Sequence, residues 1–174
     1  PDKFLGFTHL TSLNKSAGLA QISNLNPHQP KIYNEFLLLN SNNVFHSQFK
    51  AELFRPNLEH EIFAAGDVSD INAFDFRGLK LGVLICFELR DSRLWAKLKG
   101  CDIIMVPAMW GKAREDAYLS LCKALAIANN CYVMISSSLA LEVTGVFLPN
   151  GTLVKETIFD ANLIKEIKTN LGIL

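Results

Sequence analysis

The sequence predicts an α/β domain built on a mixed β-sheet, and three observations carry that prediction. Two apolar runs, at 81–87 and 103–107, have the near-continuous hydrophobic character of strands buried on both faces. Between and after them, apolar residues recur at helical spacing, with Tyr118, Leu121, Cys122, Leu125 and Ala128 on one face. Before them, residues 31–39 and 44–50 flank Asn40-Ser41-Asn42-Asn43. Asparagine tolerates positive φ, so this stretch reads as a hairpin.

Taken in order, residues 1–30 are rich in Asn, Ser and Pro and read as loop. The hairpin follows, then a polar loop over 55–70. Residues 71–76 and 79–87 are two further strands joined by a tight Arg77-Gly78 turn. Asp91 caps a short helix with Leu94, Trp95 and Leu98 on its apolar face, and Gly100 stops it. Residues 102–107 form the next strand. A helix over 115–129 carries Glu115 and Asp116 in its first turn, where the dipole favours acids. Residues 131–136 are another buried strand. Residues 146–148 and 152–155 flank Pro149-Asn150-Gly151, a second hairpin signal, and Asp160 caps a last helix bearing Leu163, Ile164 and Ile167. A sheet of this kind that opens on a loop points to a first strand–helix unit lying outside the 174 residues.

Composition narrows the function. A chain of 174 residues has room for one domain, and 49% hydrophobic residues suffice for a sizeable core. Lys+Arg and Asp+Glu number 17 each, so no basic field exists to draw nucleic acid or a membrane surface. The expected partner is a small molecule or a second copy of the chain. The stripes containing Trp95 and Tyr118 suggest pairing of two chains through their helical faces. Cys86, Cys101, Cys122 and Cys131 form no C-x-x-C pair and lie far from the four histidines, so zinc spacing is absent and no metal or cofactor is expected. No signal-like segment opens the chain, and free thiols in a reducing cytoplasm fit best.

Cys86 ends the apolar run Leu81-Gly82-Val83-Leu84-Ile85, after which the chain turns polar at Glu88. Reactive groups in open α/β sheets collect at the carboxyl ends of strands, where a sharp turn exposes the side chain beside backbone N–H groups. A free cysteine is equally at home as a small buried hydrophobe, and the segment alone admits both readings. All four histidines precede Cys86, which argues against a glutamine-amidotransferase-type elbow with its base downstream. Lysine and carboxylates are left to carry the proton chemistry, and a nearby ammonium favours the thiolate.

The segment Gly82-Val83-Leu84-Ile85-Cys86-Phe87-Glu88-Leu89-Arg90 resembles the nitrilase-superfamily motif G-x-x-I-C-Y-D-x-R around its catalytic cysteine. Other matches follow in the family's order. Lys31-Ile32-Tyr33-Asn34 resembles its "yN" strand, and Phe49-Lys50-Ala51-Glu52-Leu53-Phe54 its Y-x-K-x-H-L-F segment. Residues 59–67 resemble the E-x-x-x-F-x-x-G-D loop, Gly100-Cys101-Asp102-Ile103-Ile104 resembles G-A-D-I-I, and Pro107-Ala108-Met109-Trp110 resembles P-A-x-W. Residues 145–151 resemble the hairpin G-x-S-x-x-x-P-x-G. Singly most are weak, but the ordered set is specific.

The resemblance implies half of an α-β-β-α sandwich and hydrolysis of a non-peptide C–N bond in a small amide, carbamoyl compound or nitrile. Cys86 would attack the carbon to give a thioester or thioimidate. Lys50 and the Phe87 N–H would hold the oxyanion, and Glu59, with Glu61 two residues away as its competitor, would match the auxiliary glutamate. Phe87, Met109 and Trp110 would meet the substrate. Lys50 should lie near the sulfur of Cys86 and bond Glu59. The family's general-base glutamate, in a P-E segment well upstream of the lysine, has no counterpart: Asp2 of Pro1-Asp2 is too close to Lys50 and is the wrong acid. Glu88 stands for the usual Asp, Ala128 for a Glu, Val146 for the hairpin serine and Glu52 for the histidine. These departures leave open a nitrilase-like binding or assembly subunit without catalysis.

Overall fold

In the computed structural model, residues 5–12, 32–39, 43–137, 141, 143–155, 157 and 159–172 are described. The backbone falls into two compact units, residues 1–70 and 71–174.

The first unit is a three-stranded antiparallel sheet of β1 (Leu5–Ser12), β2 (Ile32–Leu39) and β3 (Val44–Phe49), in that order. The hairpin read from the asparagines is present, with Glu35 opposite Phe49, though residues 40–42 of its turn lie outside those described. β1 corrects the expectation of a loop at the start. Its eight residues pair with all of β2, from Leu5 opposite Leu39 to Ser12 opposite Ile32. The Asn, Ser and Pro that suggested a loop are concentrated in 13–30, and averaging over the whole stretch hid a short strand. One face of the β2–β3 pair buries Phe36, Leu38 and Gln48. Strand alternation continues that face to Lys50.

The second unit is a six-stranded mixed sheet ordered β4 (Phe74–Phe76), β5 (Leu79–Val83), β6 (Ile103–Ala108), β7 (Tyr132–Ser137), β8 (Thr144–Phe147) and β9 (Leu153–Val154). β5, β6 and β7 run parallel and the outer pairs antiparallel. Arg77 (φ 52°) and Gly78 (φ 80°) make the β4–β5 turn, both central residues having the positive φ that a twisted hairpin needs. The helix α2 (Ser92–Lys97) starts where Asp91 accepts the Arg93 N–H at 2.9 Å. The helix α3 (Glu115–Asn129) has the expected bounds and closes on Asn130 in the left-handed region (φ 50°). Ile104, Val106, Val133 and Ile135 form a buried row on the sheet, and α3 buries Tyr118, Cys122, Leu125 and Ala126. This is the helix-covered mixed sheet that the periodicity predicts.

One expectation changes here. The strand expected over 79–87 stops at Val83, although Leu84 and Ile85 remain buried. Burial continues through the turn, so hydrophobicity alone could not show where the ladder ends. Tyr118 is fully buried and its Oη donates to the Val106 carbonyl at 2.8 Å. Trp95 turns its Nε1 to the Leu89 carbonyl at 3.0 Å. Tyr118 is thus anchored within its own unit, while Trp95 stays half-buried.

The last helix, α4 (Ala161–Asn170), is capped by Asp160 as expected and is tied down by a buried lysine. Lys168 Nζ donates to Asp102 Oδ1 and to the Gly100 carbonyl, both at 2.7 Å, while Asp102 Oδ2 accepts the Lys80 N–H at 2.6 Å. Lys168→Met removes the cation and leaves Asp102 short of a partner, a change costing roughly 3 kcal/mol in a buried pair. Denaturant melts of the two chains should show that loss. A change below about 0.5 kcal/mol, the level of ordinary surface substitutions, would refute the clamp.

Among the described residues no helix is long and apolar enough to cross a membrane. Nor do three or more of their His, Cys, Asp or Glu side chains cluster to hold a metal.

Candidate active site

The first unit places Lys50 directly after β3, with its backbone held on both sides. Its N–H donates to the Asn34 carbonyl at 2.8 Å, and its carbonyl accepts the Gly66 N–H at 2.9 Å. The loop that supplies Gly66 crosses β3 so closely that a side chain there would not fit. A Cβ on residue 66 would sit 2.7 Å from both Cβ and O of Phe49. The glycine of the G-D pair is therefore a requirement of close approach.

The same loop carries the helix α1 (Glu59–Ile62). Phe63 N–H bonds the Glu59 carbonyl at 2.7 Å and Ala64 N–H bonds the Ile32 carbonyl at 2.8 Å, returning the chain to the sheet. Glu59 is thereby delivered to the lysine. Lys50 Nζ donates to Glu59 Oε2 at 2.6 Å, and the same oxygen accepts the Phe54 N–H at 2.6 Å. Lys50 is only 1% exposed. An ammonium so buried costs several kcal/mol in lost hydration, which a short charge-assisted bond offsets. Glu61 is exposed, so of the two glutamates the geometry selects Glu59. Alongside, Ser47 Oγ donates to Glu35, and burial holds His46 below the ordinary histidine range.

The second unit places Cys86 at the turn after β5. Leu84 N–H still bonds the Met105 carbonyl of β6 at 3.0 Å, and two residues later the chain reverses into a 3-10 turn over Cys86–Arg90. Cys86 has φ 55°, a left-handed conformation costing a residue other than glycine about 1–3 kcal/mol. Such strain, at the end of a parallel strand, is what a nucleophile elbow looks like. Of the four cysteines Cys86 is half-buried and the other three are buried. Burial pushes the Cys101 thiol up to about 12 and raises Cys122 and Cys131 further.

The remaining sequence-derived residues differ in their exposure. Phe87 is half-buried and Met109 is 82% exposed just beyond β6. Trp110 is 2% exposed, its ring edge-on to Tyr118 at 5.0 Å between centroids and beneath the Arg90 guanidinium at 5.2 Å. Arg90 closes the turn that Cys86 opens, so Trp110 props the elbow from below. Two residues escaped a site reading from sequence. Tyr118 was only a helix-face residue. Glu88 registered only as a departure from Asp, although an acid three residues after Ile85, the residue that leads into the turn, is capping-box spacing.

The sequence pattern of the carbon–nitrogen hydrolase family matches residues 3–155. Over 86 residues the chain is 36% identical to 2-oxoglutaramate amidase of Bacillus subtilis (strain 168), covering 48% of this chain and 32% of that protein. Over 101 residues it is 33% identical to omega-amidase YafV of Escherichia coli (strain K12), covering 58% and 38%. The alignments thus span about a third of each of these relatives. The crystal structure of Saccharomyces cerevisiae Nit3, a member of branch 10 of the nitrilase superfamily, superposes with TM-score 0.70 at 23% identity, covering 82% of this chain and 59% of that one. The Caenorhabditis elegans NitFhit protein gives TM-score 0.70 at 20% identity, covering 82% and 41%. With the family pattern running through both units, the lysine loop and the cysteine turn alike, the chain belongs to the carbon–nitrogen hydrolase family.

Proposed function

We propose that this chain carries the cysteine, lysine and auxiliary glutamate of an amidase acting on a small primary amide, with both units forming one hydrolase domain. The observation that carries the reading is the left-handed Cys86 at the end of β5. Cys86 Sγ attacks the carbonyl carbon, and the developing oxyanion is held by Lys50 Nζ and the Phe87 N–H. Collapse expels ammonia and leaves a thioester, which water hydrolyses to the acid. A nitrile would pass through a thioimidate at the same sulfur. Glu59 fixes the ammonium, as its 2.6 Å bond to Lys50 supports. Phe87 and Met109 supply an apolar wall, and Trp110 braces it. The names of the amidase relatives favour an amide over a nitrile. Four free thiols suit a reducing compartment.

The departures from the family pattern at Glu52, Glu88, Ala128 and Val146 favour a second reading, a binding or assembly subunit without turnover. The two readings part at the thiol. With iodoacetamide at neutral pH and peptide mass spectrometry, Cys86 should be alkylated at least about 10²-fold faster than Cys101, since each pKa unit changes the thiolate fraction tenfold. Exposure alone would also rank Cys86 first, so a second comparison decides. Cys86 should react faster in the native chain than in the same chain unfolded in urea. Slower native alkylation would sink the nucleophile reading.

A further inference from the structure

Glu88 lies in the turn that presents Cys86 and is fully buried, between Ile85 and Leu89. A carboxyl group is costly to bury unless its oxygens are bonded. Oε2 accepts the Ile85 N–H at 2.6 Å, the short distance of a charge-assisted bond. In return, the Glu88 N–H donates to the Ile85 carbonyl at 3.2 Å. The two bonds close a ring on the residue directly before the cysteine. The preceding amide, that of Leu84, still belongs to the sheet, because it bonds the Met105 carbonyl. Glu88 thus takes the first amide beyond the one that bonds β6, at the point where φ turns positive on Cys86.

We propose that Glu88 is a positioning residue for the nucleophile: its carboxylate holds the Leu84–Ile85 peptide, and with the Glu88 N–H on the Ile85 carbonyl it fixes Ile85, so that Cys86 leaves the strand in its left-handed conformation and offers its thiol. This rests on the reading of Cys86 as the nucleophile. The reasoning is geometric. A left-handed cysteine relaxes to ordinary φ unless its neighbours are held, and rotation at a released Ile85 would swing Sγ back toward the strand direction. The acid acts through backbone, so what it must supply is an acceptor oxygen at this place.

Three variants of the 174-residue chain test this: Glu88→Ala, Glu88→Gln and Glu88→Asp. Iodoacetamide rate constants would be measured at Cys86 and at the three buried cysteines, alongside thermal melts. Glu88→Ala should slow Cys86 by about 10-fold or more, as misplacement of a reacting group does, while the other three cysteines stay protected. Glu88→Gln keeps an oxygen to accept the Ile85 N–H and should restore a rate close to wild type. A purely structural acid would alter the melt without this selective loss and rescue. A folded Glu88→Ala chain with wild-type Cys86 reactivity overturns the proposal, as does a Glu88→Gln chain as slow as Glu88→Ala. If Glu88→Ala does not fold, Glu88→Asp decides, because its carboxylate falls one carbon–carbon bond, about 1.5 Å, short. A slowed Cys86 in folded Glu88→Asp supports the clamp, and an unchanged one overturns it. A wild-type chain in which Cys86 is not the fast thiol overturns the nucleophile reading and this inference with it. A fast wild-type Cys86 indifferent to all three changes overturns this inference alone.

Discussion

Joined to an upstream segment bearing the family's general-base glutamate, the chain is expected to hydrolyse a small amide about 10²–10⁴-fold faster than the 174 residues alone, the span that general-base assistance provides. Two proton transfers need that base. The thiol must lose its proton for attack on the carbonyl, and a water must lose one for release of the acid from the thioester. Among these residues Lys50 is paired to Glu59 and, as an ammonium, has no lone pair with which to accept a proton. The measurement is ammonia release from a primary ω-amide at matched protein concentration, with Cys86→Ala in the longer chain setting the background. Brisk turnover by the 174 residues alone would show that a base is already present, and Asp2, Glu59 and Glu61 would be the acids to substitute next.

The second large effect belongs to Lys50. In the active longer chain, Lys50→Met should lower kcat by about 10²–10³-fold, the cost of losing one oxyanion donor. Methionine replaces the buried stem at similar volume, so packing at this 1% exposed position is largely kept. Glu59 loses its cation but retains the Phe54 N–H, and its side chain is 20% exposed. The accompanying stability loss should therefore stay at about 1–3 kcal/mol, and the fold should survive for the kinetic comparison. Lys50→Arg should not rescue, because a planar five-donor fork does not fit where a compact ammonium meets one carboxylate oxygen. A Lys50→Met enzyme with wild-type kcat and raised KM would assign the lysine to ground-state binding instead.

The two kinds of residue behind these expectations were visible in the sequence to different degrees. Lys50, Glu59 and Cys86 could be named because each sits in a short string whose order along the chain is itself informative. The E-x-x-x-F spacing pointed to Glu59, with Glu61 two residues away as its competitor, and three dimensions separate the two. The choice depends on α1 turning Glu59 toward Lys50 while Glu61 faces solvent, and that turn depends on residue 66 having no Cβ above Phe49. Trp110 shows the reverse case, since its motif position suggested substrate contact, whereas the ring is packed between Tyr118 and Arg90.

By itself the sequence determined the α/β class, the helix over Glu115–Asn129, the caps at Asp91 and Asp160, and the position of the cysteine at a strand end. These follow from periodicity and local hydrogen bonding within a few residues, so they are written into contiguous stretches of chain. Tertiary structure alone decided where β5 stops, that residues 5–12 form a strand, that Lys168 reaches Asp102, and that Glu88 turns inward to hold Ile85. Strand pairing and buried polar contacts join residues whose separation in sequence carries no periodic signal. A buried acid such as Glu88 is written with the same letter as a solvated one, and only the surrounding packing decides which it becomes.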